Sequence, residues 1–140
     1  MRIVCSALRN LTGHKTNSSL LIASSGLAPI VSALTAHTGE ADTVEQVAYL
    51  VRNIASEAAH CGPLIRAGVL TPLMTALRSV ATSPGAVEAI ARACWSIATP
   101  AEGKTAVAAA GALPLLTSAL RTHVATARVV IGIAGAMHNL

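Results

Sequence analysis

ALRNLT occupies residues 7–12, and three close variants follow it: LVRNIA (50–55), ACWSIA (93–98) and AMHNL (136–140). The polar residue near the end of each segment returns after 43 residues each time, at Asn10, Asn53, Ser96 and Asn139. Chance similarity among alanine-rich segments would not keep one spacing over three periods, and a fixed period of this length is the signature of a repeat architecture. We call these four residues the ladder positions.

A second landmark recurs with nearly the same period and divides each unit into helices. It is the segment SGLAP at 25–29, AGVLTP at 67–72 and AGALP at 110–114. A short first helix is predicted to end at the glycine of this segment (Gly26, Gly68 or Gly111), because glycine can adopt the left-handed conformation that closes a helix. The proline (Pro29, Pro72 or Pro114) then lies near the start of a second helix, where its missing N–H costs little.

A longer third helix carries the ladder position of each unit. It is predicted to begin near Thr43, Pro84 and Thr126, with Asp42 and Ser83 as N-caps. Its apolar residues recur at helical spacing and leave the polar ones on another side. In the first complete unit the apolar set is Val44, Val47, Ala48, Val51, Ile54 and Ala55, and the other side carries Tyr49, Arg52 and Asn53. One unit cannot bury such a side alone, so the units are predicted to stack into an α-solenoid.

This three-helix unit, with a Gly–apolar–x–Pro turn and an aLxNLa third helix, resembles the armadillo repeat family, as in importin-α and β-catenin. The resemblance covers essentially the whole chain, whereas HEAT units lack the short first helix and ankyrin and tetratricopeptide repeats are shorter. It implies an all-α fold, a right-handed superhelix of three-helix armadillo repeats. The units would be residues 1–13, the third helix of a partial repeat, followed by 14–56, 57–99 and 100–140, the last of them truncated.

The resemblance also implies a protein-interaction scaffold whose third helices line a concave groove for an extended peptide. Asparagine is a poor choice inside a helix, so its recurrence needs a reason. One interpretation is that Asn10, Asn53 and Asn139 clamp the main chain of a bound peptide through their amides. The alternative is that they tie each third helix to a neighbouring loop. Ser96 interrupts the series, so a clamp would be weaker in that unit.

The groove is also expected to use the residues around the ladder. Importin-α-like repeats usually carry Trp four residues before the asparagine, but here only Tyr49 is aromatic at that offset, and Trp95 sits beside the ladder. This departure weighs against basic nuclear-localisation peptides. Arginines outnumber acids on the third helices: Arg9, Arg52 and Arg92, with Arg2 and Arg128, stand against Glu45 and Glu88. The predicted peptide-binding set is Asn10, Asn53, Asn139, Tyr49, Arg52, Arg92 and Trp95.

Charge and composition limit the classes of binding partner and the cellular compartments that fit this chain. The 140 residues carry a net charge of +4, and a basic groove favours an acidic peptide; the alternative is that the arginines only solvate helix edges. No basic cluster is interleaved with aromatics, which does not favour nucleic acid. Although 53% of the residues are hydrophobic, the longest apolar run, 105–120, is broken by Gly111 and Pro114, so no membrane span is predicted. Three irregularly spaced cysteines and no signal peptide indicate the cytoplasm or the nucleus.

The sequence predicts no enzyme, cofactor or metal site. His60 and Cys61 are adjacent, but neighbours on a helix point in different directions, and we expect a loop histidine and a partly buried thiol. None of the common catalytic or metal-binding motifs is present. A different class of function, a structural spacer that stacks through its ends without a peptide, is the alternative.

The two ends of the chain motivate that alternative. Residue 1 falls at the beginning of a third helix, and Leu140 directly follows a ladder position. We therefore expect either a fragment of a longer armadillo array or end-to-end self-association. Apolar residues left uncovered would be Ile3, Val4, Ala7, Leu8 and Leu11 at one end and Val129, Val130, Ile133 and Met137 at the other.

Overall fold

The computed structural model describes residues 2–140, apart from the side chain of Arg2, and this part of the chain forms ten helices and no strand. The helices are α1 (Arg2–Leu11), α2 (Lys15–Ala23), α3 (Leu27–Ala36), α4 (Ala41–Ala55), α5 (Ala58–Arg66), α6 (Leu70–Ser79), α7 (Pro84–Ile97), α8 (Ala101–Ala109), α9 (Ala112–Thr122) and α10 (Ala127–Asn139). Short, short and long helices alternate from α2 onward. The predicted all-α solenoid is confirmed.

The long helices α1, α4, α7 and α10 pack side by side in chain order and form the most extensive contacts of the fold. The first helices of the units (α2, α5, α8) and the second helices (α3, α6, α9) form further rows, each packing along its own row. The core between the rows is aliphatic, as the near absence of aromatic residues requires. Its largest fully buried side chains include Leu34, Leu50, Ile54, Leu73 and Ile90.

The turn between the first and second helix uses the left-handed conformation once in each unit. Gly68 and Gly111 adopt it, with φ of 83° and 78°. In the first unit the prediction for Gly26 is wrong: Gly26 has φ of −70°, and Ser25 takes the left-handed position with φ of 60°. The left-handed positions Ser25, Gly68 and Gly111 are separated by 43 residues, whereas Gly26 stands one residue late.

Gly26 is required for a different reason. Its backbone N–H donates to Leu21 O at 2.8 Å, which closes the end of α2. A Cβ on Gly26 would lie 2.8 Å from the same carbonyl oxygen and closer still to the Leu21 side chain. The glycine therefore allows a close approach, while Ser25 carries the backbone strain.

The Ser25→Gly variant is expected to be more stable than the parent by about 0.5 kcal/mol, because glycine adopts a positive φ without a steric penalty. Gly68→Ala should lower the free energy of unfolding by about 1 kcal/mol. No atom lies within 4 Å of the added Cβ at position 68, so this loss would report the backbone conformation alone. Urea denaturation followed by circular dichroism measures both changes, and a destabilised Ser25→Gly would contradict the assignment of strain.

The third helices begin slightly earlier than predicted in one unit. Helix α4 starts at Ala41 after Glu40, so Asp42 lies in the first turn and is not the N-cap. A carboxylate in the first turn still interacts favourably with the helix dipole. Ser83 is the residue before α7, with Pro84 at the first position, but its hydroxyl makes no capping hydrogen bond.

The two ends of the array differ in how much apolar surface they expose. Ile3, Val4 and Leu11 of α1 are exposed, as expected. The expectation for the last unit is wrong for Val129 and Ile133, which are fully buried. Their burial follows from the extensive packing of α10 against α7, which covers the apolar side of α10 from within the chain.

No single helix within residues 2–140 is long and apolar enough to cross a membrane. Two bent pairs, α2 with α3 and α8 with α9, reach the necessary length and hydropathy only when taken together, and their axes meet at 89° and 75°. In the solenoid, α3 packs on α4 and on α6, and α9 packs on α10 and on α6.

All three cysteines are buried free thiols. Burial raises the pKa of each one, and it raises the pKa of Cys94, which lies in α7, to about 12 from the ordinary value of 9.0. The folded state therefore holds the Cys94 proton more tightly than the unfolded state. The stability linked to this proton is complete below about pH 9 and is lost as the pH rises from there towards 12.

The parent chain is expected to lose stability between pH 8.5 and 10.5 more steeply than the Cys94→Ala variant, by about 2 kcal/mol over that range. Cys5 and Cys61 remain in both proteins, so the difference between the two slopes isolates Cys94. Urea midpoints across the pH series provide the measurement. Parallel slopes would show that Cys94 does not hold its proton in this way.

Candidate functional site

The ladder positions lie on one continuous surface because their helices stack in order. We call this surface the ladder face and define it by the ladder positions together with the residues one and four places before them. Asn10 is exposed, and Asn53, Ser96 and Asn139 are half-buried. Each third helix thus presents the same three positions along the stack, and the packing of its opposite, apolar side fixes their direction.

The asparagine amides join consecutive third helices. Asn53 Nδ2 donates to Arg9 O at 3.0 Å, and Asn139 Nδ2 donates to Trp95 O at 3.2 Å. Both acceptors lie near the end of a helix, where the last carbonyls lack partners within the helix. The acceptor is the neighbouring third helix itself rather than a loop. A structural role for the asparagines is therefore present, and it explains why this residue type stands inside a helix.

These hydrogen bonds leave some donor and acceptor groups of the asparagine amides unused. An asparagine side chain carries two N–H donors and a carbonyl with two lone pairs. The bond to Arg9 O takes one donor of Asn53, and the Asn53 carbonyl accepts a long bond of 3.4 Å from Arg52 Nη1. Asn53 is half-buried and lines a cavity, so its remaining groups are within reach of a ligand.

Ser96 stands where the other two complete units have asparagine. Its side chain is too short to copy the bond from Asn53 to Arg9 O, and within the described residues no side-chain donor reaches Arg52 O. The interruption predicted from the sequence therefore has a structural counterpart at the junction of α4 and α7.

Contacts across each junction join two fixed positions. The residue directly before one ladder position lies over the residue that stands four positions before the next ladder position. The Arg9 guanidinium is 5.3 Å from the centre of the Tyr49 ring, a cation–π contact. Trp95 packs on Gly135 so closely that a Cβ at position 135 would overlap the indole. Arg52 and Arg92 occupy the same two places at the junction between them and line one cavity. The sequence interpretation missed this pairing, although its signal is a constant separation of 40 residues.

Three cavities follow one another along the ladder face and share residues. The first, about 410 Å³, is lined by Ile3, Ser6, Ala7, Asn10 and Gln46. The second, about 340 Å³, is lined by Arg9, Asn10, Gly13, Tyr49, Arg52 and Asn53. The third, about 230 Å³, is lined by Arg52, Arg92, Trp95, Ser96 and Thr99. Asn10 joins the first two and Arg52 the last two. Among the predicted site residues only Asn139 lies outside these walls.

The charges on this surface are unbalanced. Glu88, only 7% exposed, accepts a hydrogen bond from Arg92 Nε at 2.9 Å, and its other oxygen lies 3.3 Å from Arg128 Nε. One carboxylate thus serves two guanidinium groups. Arg9 donates to the neutral Gln46 Oε1 at 2.8 Å. Within the described residues, neither Arg9 nor Arg52 forms an ion pair with a carboxylate.

Tyr49 lies at the centre of this arrangement. Burial raises the pKa of its hydroxyl, and the nearby negative charge of Glu88 raises the pKa further. The phenol therefore stays protonated and neutral over the physiological range. Its ring offers an aromatic surface beneath Arg9, and its hydroxyl does not add a negative charge to the basic face.

Comparison with solved structures decides the fold type. A designed armadillo repeat protein superimposes with a TM-score of 0.85 over 99% of this chain, at 24% sequence identity. This chain folds as an armadillo repeat array. It spans 57% of the length of that designed protein. An engineered protein solved by crystallography is less similar, with a TM-score of 0.52 and 18% identity over 99% of this chain and 72% of its own. No protein-family model matches the chain, and no curated protein matches it.

The residues considered for catalysis are used by the armadillo array for packing. His60 lies inside α5 rather than in a loop, with Nδ1 3.1 Å from Ile54 O and Nε2 3.2 Å from Ser19 Oγ. Cys61 is fully buried, rather than partly as expected, and its Sγ lies near backbone carbonyls. No group of three or more potential metal ligands occurs among residues 2–140.

Gly135→Ala should lower the free energy of unfolding by about 1–3 kcal/mol, because the added methyl group displaces the Trp95 indole. Trp95 is the single tryptophan, so its emission should shift to longer wavelength as the ring moves into solvent. In a Trp95→Ala background the same substitution should be neutral or slightly stabilising, since alanine favours a helix more than glycine does. An equal loss of stability from Gly135→Ala in the parent and in the Trp95→Ala background would contradict the packing of Trp95 on Gly135.

Proposed function

We propose that this armadillo array is a protein-interaction module that binds an extended, acidic peptide segment along the ladder face. The observation that carries the proposal is the run of three cavities that share lining residues, among which are ladder positions and arginines. A run of this kind suits a ligand that is long and narrow. The proposed contact residues are Asn10, Asn53, Asn139, Tyr49, Arg52, Arg92 and Trp95.

The ladder amides would bind the main chain of the peptide. An extended peptide exposes one N–H and one C=O per residue, and a side-chain amide can pair with both. The bond from Asn53 Nδ2 to Arg9 O fixes the direction of the amide before a ligand arrives. A side chain that is already ordered loses less conformational entropy on binding, which favours affinity.

The excess of guanidinium groups supports an acidic ligand. Arg9 and Arg52 have no carboxylate partner within the described residues, and Arg92 and Arg128 share Glu88. A complementary acidic segment would be attracted at long range, and its association would slow as salt screens these charges. Under this proposal the protein acts by binding and performs no catalysis. Three buried free thiols fit a reducing compartment, the cytoplasm or the nucleus.

End-to-end assembly is the second candidate, and one observation favours it. An apolar cleft of about 320 Å³ opens between α1 and the helices α2, α3 and α4, and its walls include Val4, Leu8, Leu21 and Leu50. Exposed Ile3 and Leu11 lie on the same helix as Val4. Clefts and patches of this kind mark docking sites in soluble proteins. In that case the array would be a spacer within a longer or self-stacked assembly, and the ladder face would stay empty.

The Asn53→Ala variant is expected to bind a peptide selected on the parent by phage display about 5- to 100-fold more weakly, because a main-chain group of the ligand loses its partner. Asn17→Ala is the matched control: Asn17 in α2 also donates its amide to a backbone carbonyl, Leu11 O at 2.7 Å, but does not line any of the three cavities. Fluorescence anisotropy with the labelled peptide measures both affinities.

Raising the salt concentration should weaken binding of the same peptide to the parent if acidic residues face the arginines. Equal affinities of Asn53→Ala and Asn17→Ala would contradict the clamp. A parent protein that selects no peptide but sediments as a concentration-dependent oligomer, and turns monomeric in a Val4→Glu variant, would favour end-to-end assembly instead.

A further inference from the structure

The cavity at the junction of α4 and α7 differs from the other two along the ladder face. Its walls are formed by Arg52, Arg92, Trp95, Ser96 and Thr99, and they enclose about 230 Å³. We call it the junction pocket. It is smaller than its neighbours, and it is the cavity in which two arginines stand beside a serine and a threonine.

The junction pocket has an excess of positive charge. Arg92 uses its Nε for Glu88, at 2.9 Å, which leaves the terminal nitrogens of its guanidinium group outside that bond. Glu88 is also shared with Arg128, so it neutralises less than one of the two guanidinium groups. Arg52 is exposed, and its contact among the described residues is a 3.4 Å bond to the neutral Asn53 Oδ1. An anion entering the pocket would therefore meet a site lined by two arginines whose charges are not fully neutralised within the described residues.

The substitution at the ladder position makes room for such an anion. In the equivalent places the longer Asn53 and Asn139 side chains reach across to the preceding helix. Ser96 does not, and within the described residues its hydroxyl makes no hydrogen bond. A serine thus lines the same cavity as two arginines, at a position where the other complete units have asparagine.

We propose that the junction pocket binds the phosphate group of a phosphorylated serine or threonine in the ligand. A phosphate carries close to two negative charges and three acceptor oxygens, which matches two guanidinium groups and one hydroxyl. A carboxylate has two oxygens and one charge, and a single arginine can satisfy it. The half-exposed Trp95 ring provides an apolar wall for the carbon atoms that carry the phosphate. The proposal deepens the proposed function and rests on it for the peptide that surrounds the phosphate.

Trp95 makes the pocket directly observable, because it is the single tryptophan and lines the wall. The experiment titrates N-acetyl-O-phosphoserine amide into the intact chain and follows Trp95 fluorescence and the indole N–H signal by NMR. N-acetylglutamate amide, inorganic phosphate and a ten-nucleotide single-stranded DNA are titrated in parallel. The phosphoserine derivative should saturate the Trp95 signal and bind about tenfold more tightly than the glutamate derivative.

Three variants test which residues bind the phosphate. Arg52→Gln should weaken the phosphoserine derivative about tenfold, and because Arg52 is exposed the variant should fold. Ser96→Asn should weaken it to a similar extent by filling the pocket, while leaving the peptide-binding ladder intact or improved. Arg66→Gln is the matched control, since Arg66 is an exposed arginine on α5, away from the pocket, and its affinity should stay within about twofold of the parent.

Several results would contradict phosphate binding in the junction pocket. These are an unsaturable Trp95 response, an equal loss in Arg66→Gln and Arg52→Gln, inorganic phosphate binding as tightly as the phosphoserine derivative, or DNA binding more tightly than either. The small probes need no contact with the rest of the ladder face. Loss of phosphate binding alone, with the peptide effect of Asn53→Ala retained, would reject the pocket and keep the proposed function; the reverse pattern would reject the function and keep the pocket.

Discussion

Each third helix buries its apolar side against the third helix of the next unit, at α1–α4, α4–α7 and α7–α10. Residues such as Val47, Val51 and Ile90 have no solvent exposure as a result. A single unit cannot achieve this burial, so the stack is a condition for folding. The polar side of every third helix must therefore face away from this core. The ladder face is the part of these helices that the core does not use.

The asparagine amides have a structural role that is compatible with the proposed binding role. The amide of Asn53 donates to Arg9 O near the end of α1, a carbonyl that also accepts a hydrogen bond from Thr12 Oγ1 at 3.1 Å. The bond from Asn53 leaves one N–H donor and most of the accepting capacity of the Asn53 side-chain carbonyl unused. It also fixes the orientation of these groups. The two interpretations of the ladder are therefore compatible: the link between helices is observed, and the proposed clamp would use what the link leaves over.

The sequence predicted the repeat, the helices and the buried side of the third helix, because all three depend on spacing along one chain segment. It misassigned the first turn, since glycine stands at position 26 while the left-handed conformation falls on Ser25. Fine differences of one residue depend on how Leu21 packs, which spacing does not encode. The burial of Val129 and Ile133 was missed because it depends on the packing of α10 against α7, in which Gly135 permits the close approach of Trp95.

The sequence predicted which residues belong to the site but not how they pair. Its members could be named from their offsets to the ladder, but the pairing of Arg9 with Tyr49 and of Trp95 with Gly135 joins residues in different units. The sharing of Glu88 by Arg92 and Arg128 also crosses a unit boundary. A pattern read along one unit cannot reveal contacts that exist only after two units stack.

The separation of 40 residues between stacked side chains has a consequence for how such an array can diversify. The three cavities along the face each draw one wall from one unit and the opposite wall from its neighbour, so under the proposed function the binding preference is set at the boundaries between units. Exchanging the order of two intact units would leave each sequence unchanged and yet create new combinations at every boundary that the exchange touches. A duplication of one unit would likewise generate a cavity that neither parent possessed. Under the proposed function, rearrangement of existing units would change the binding preference of the face without any point mutation.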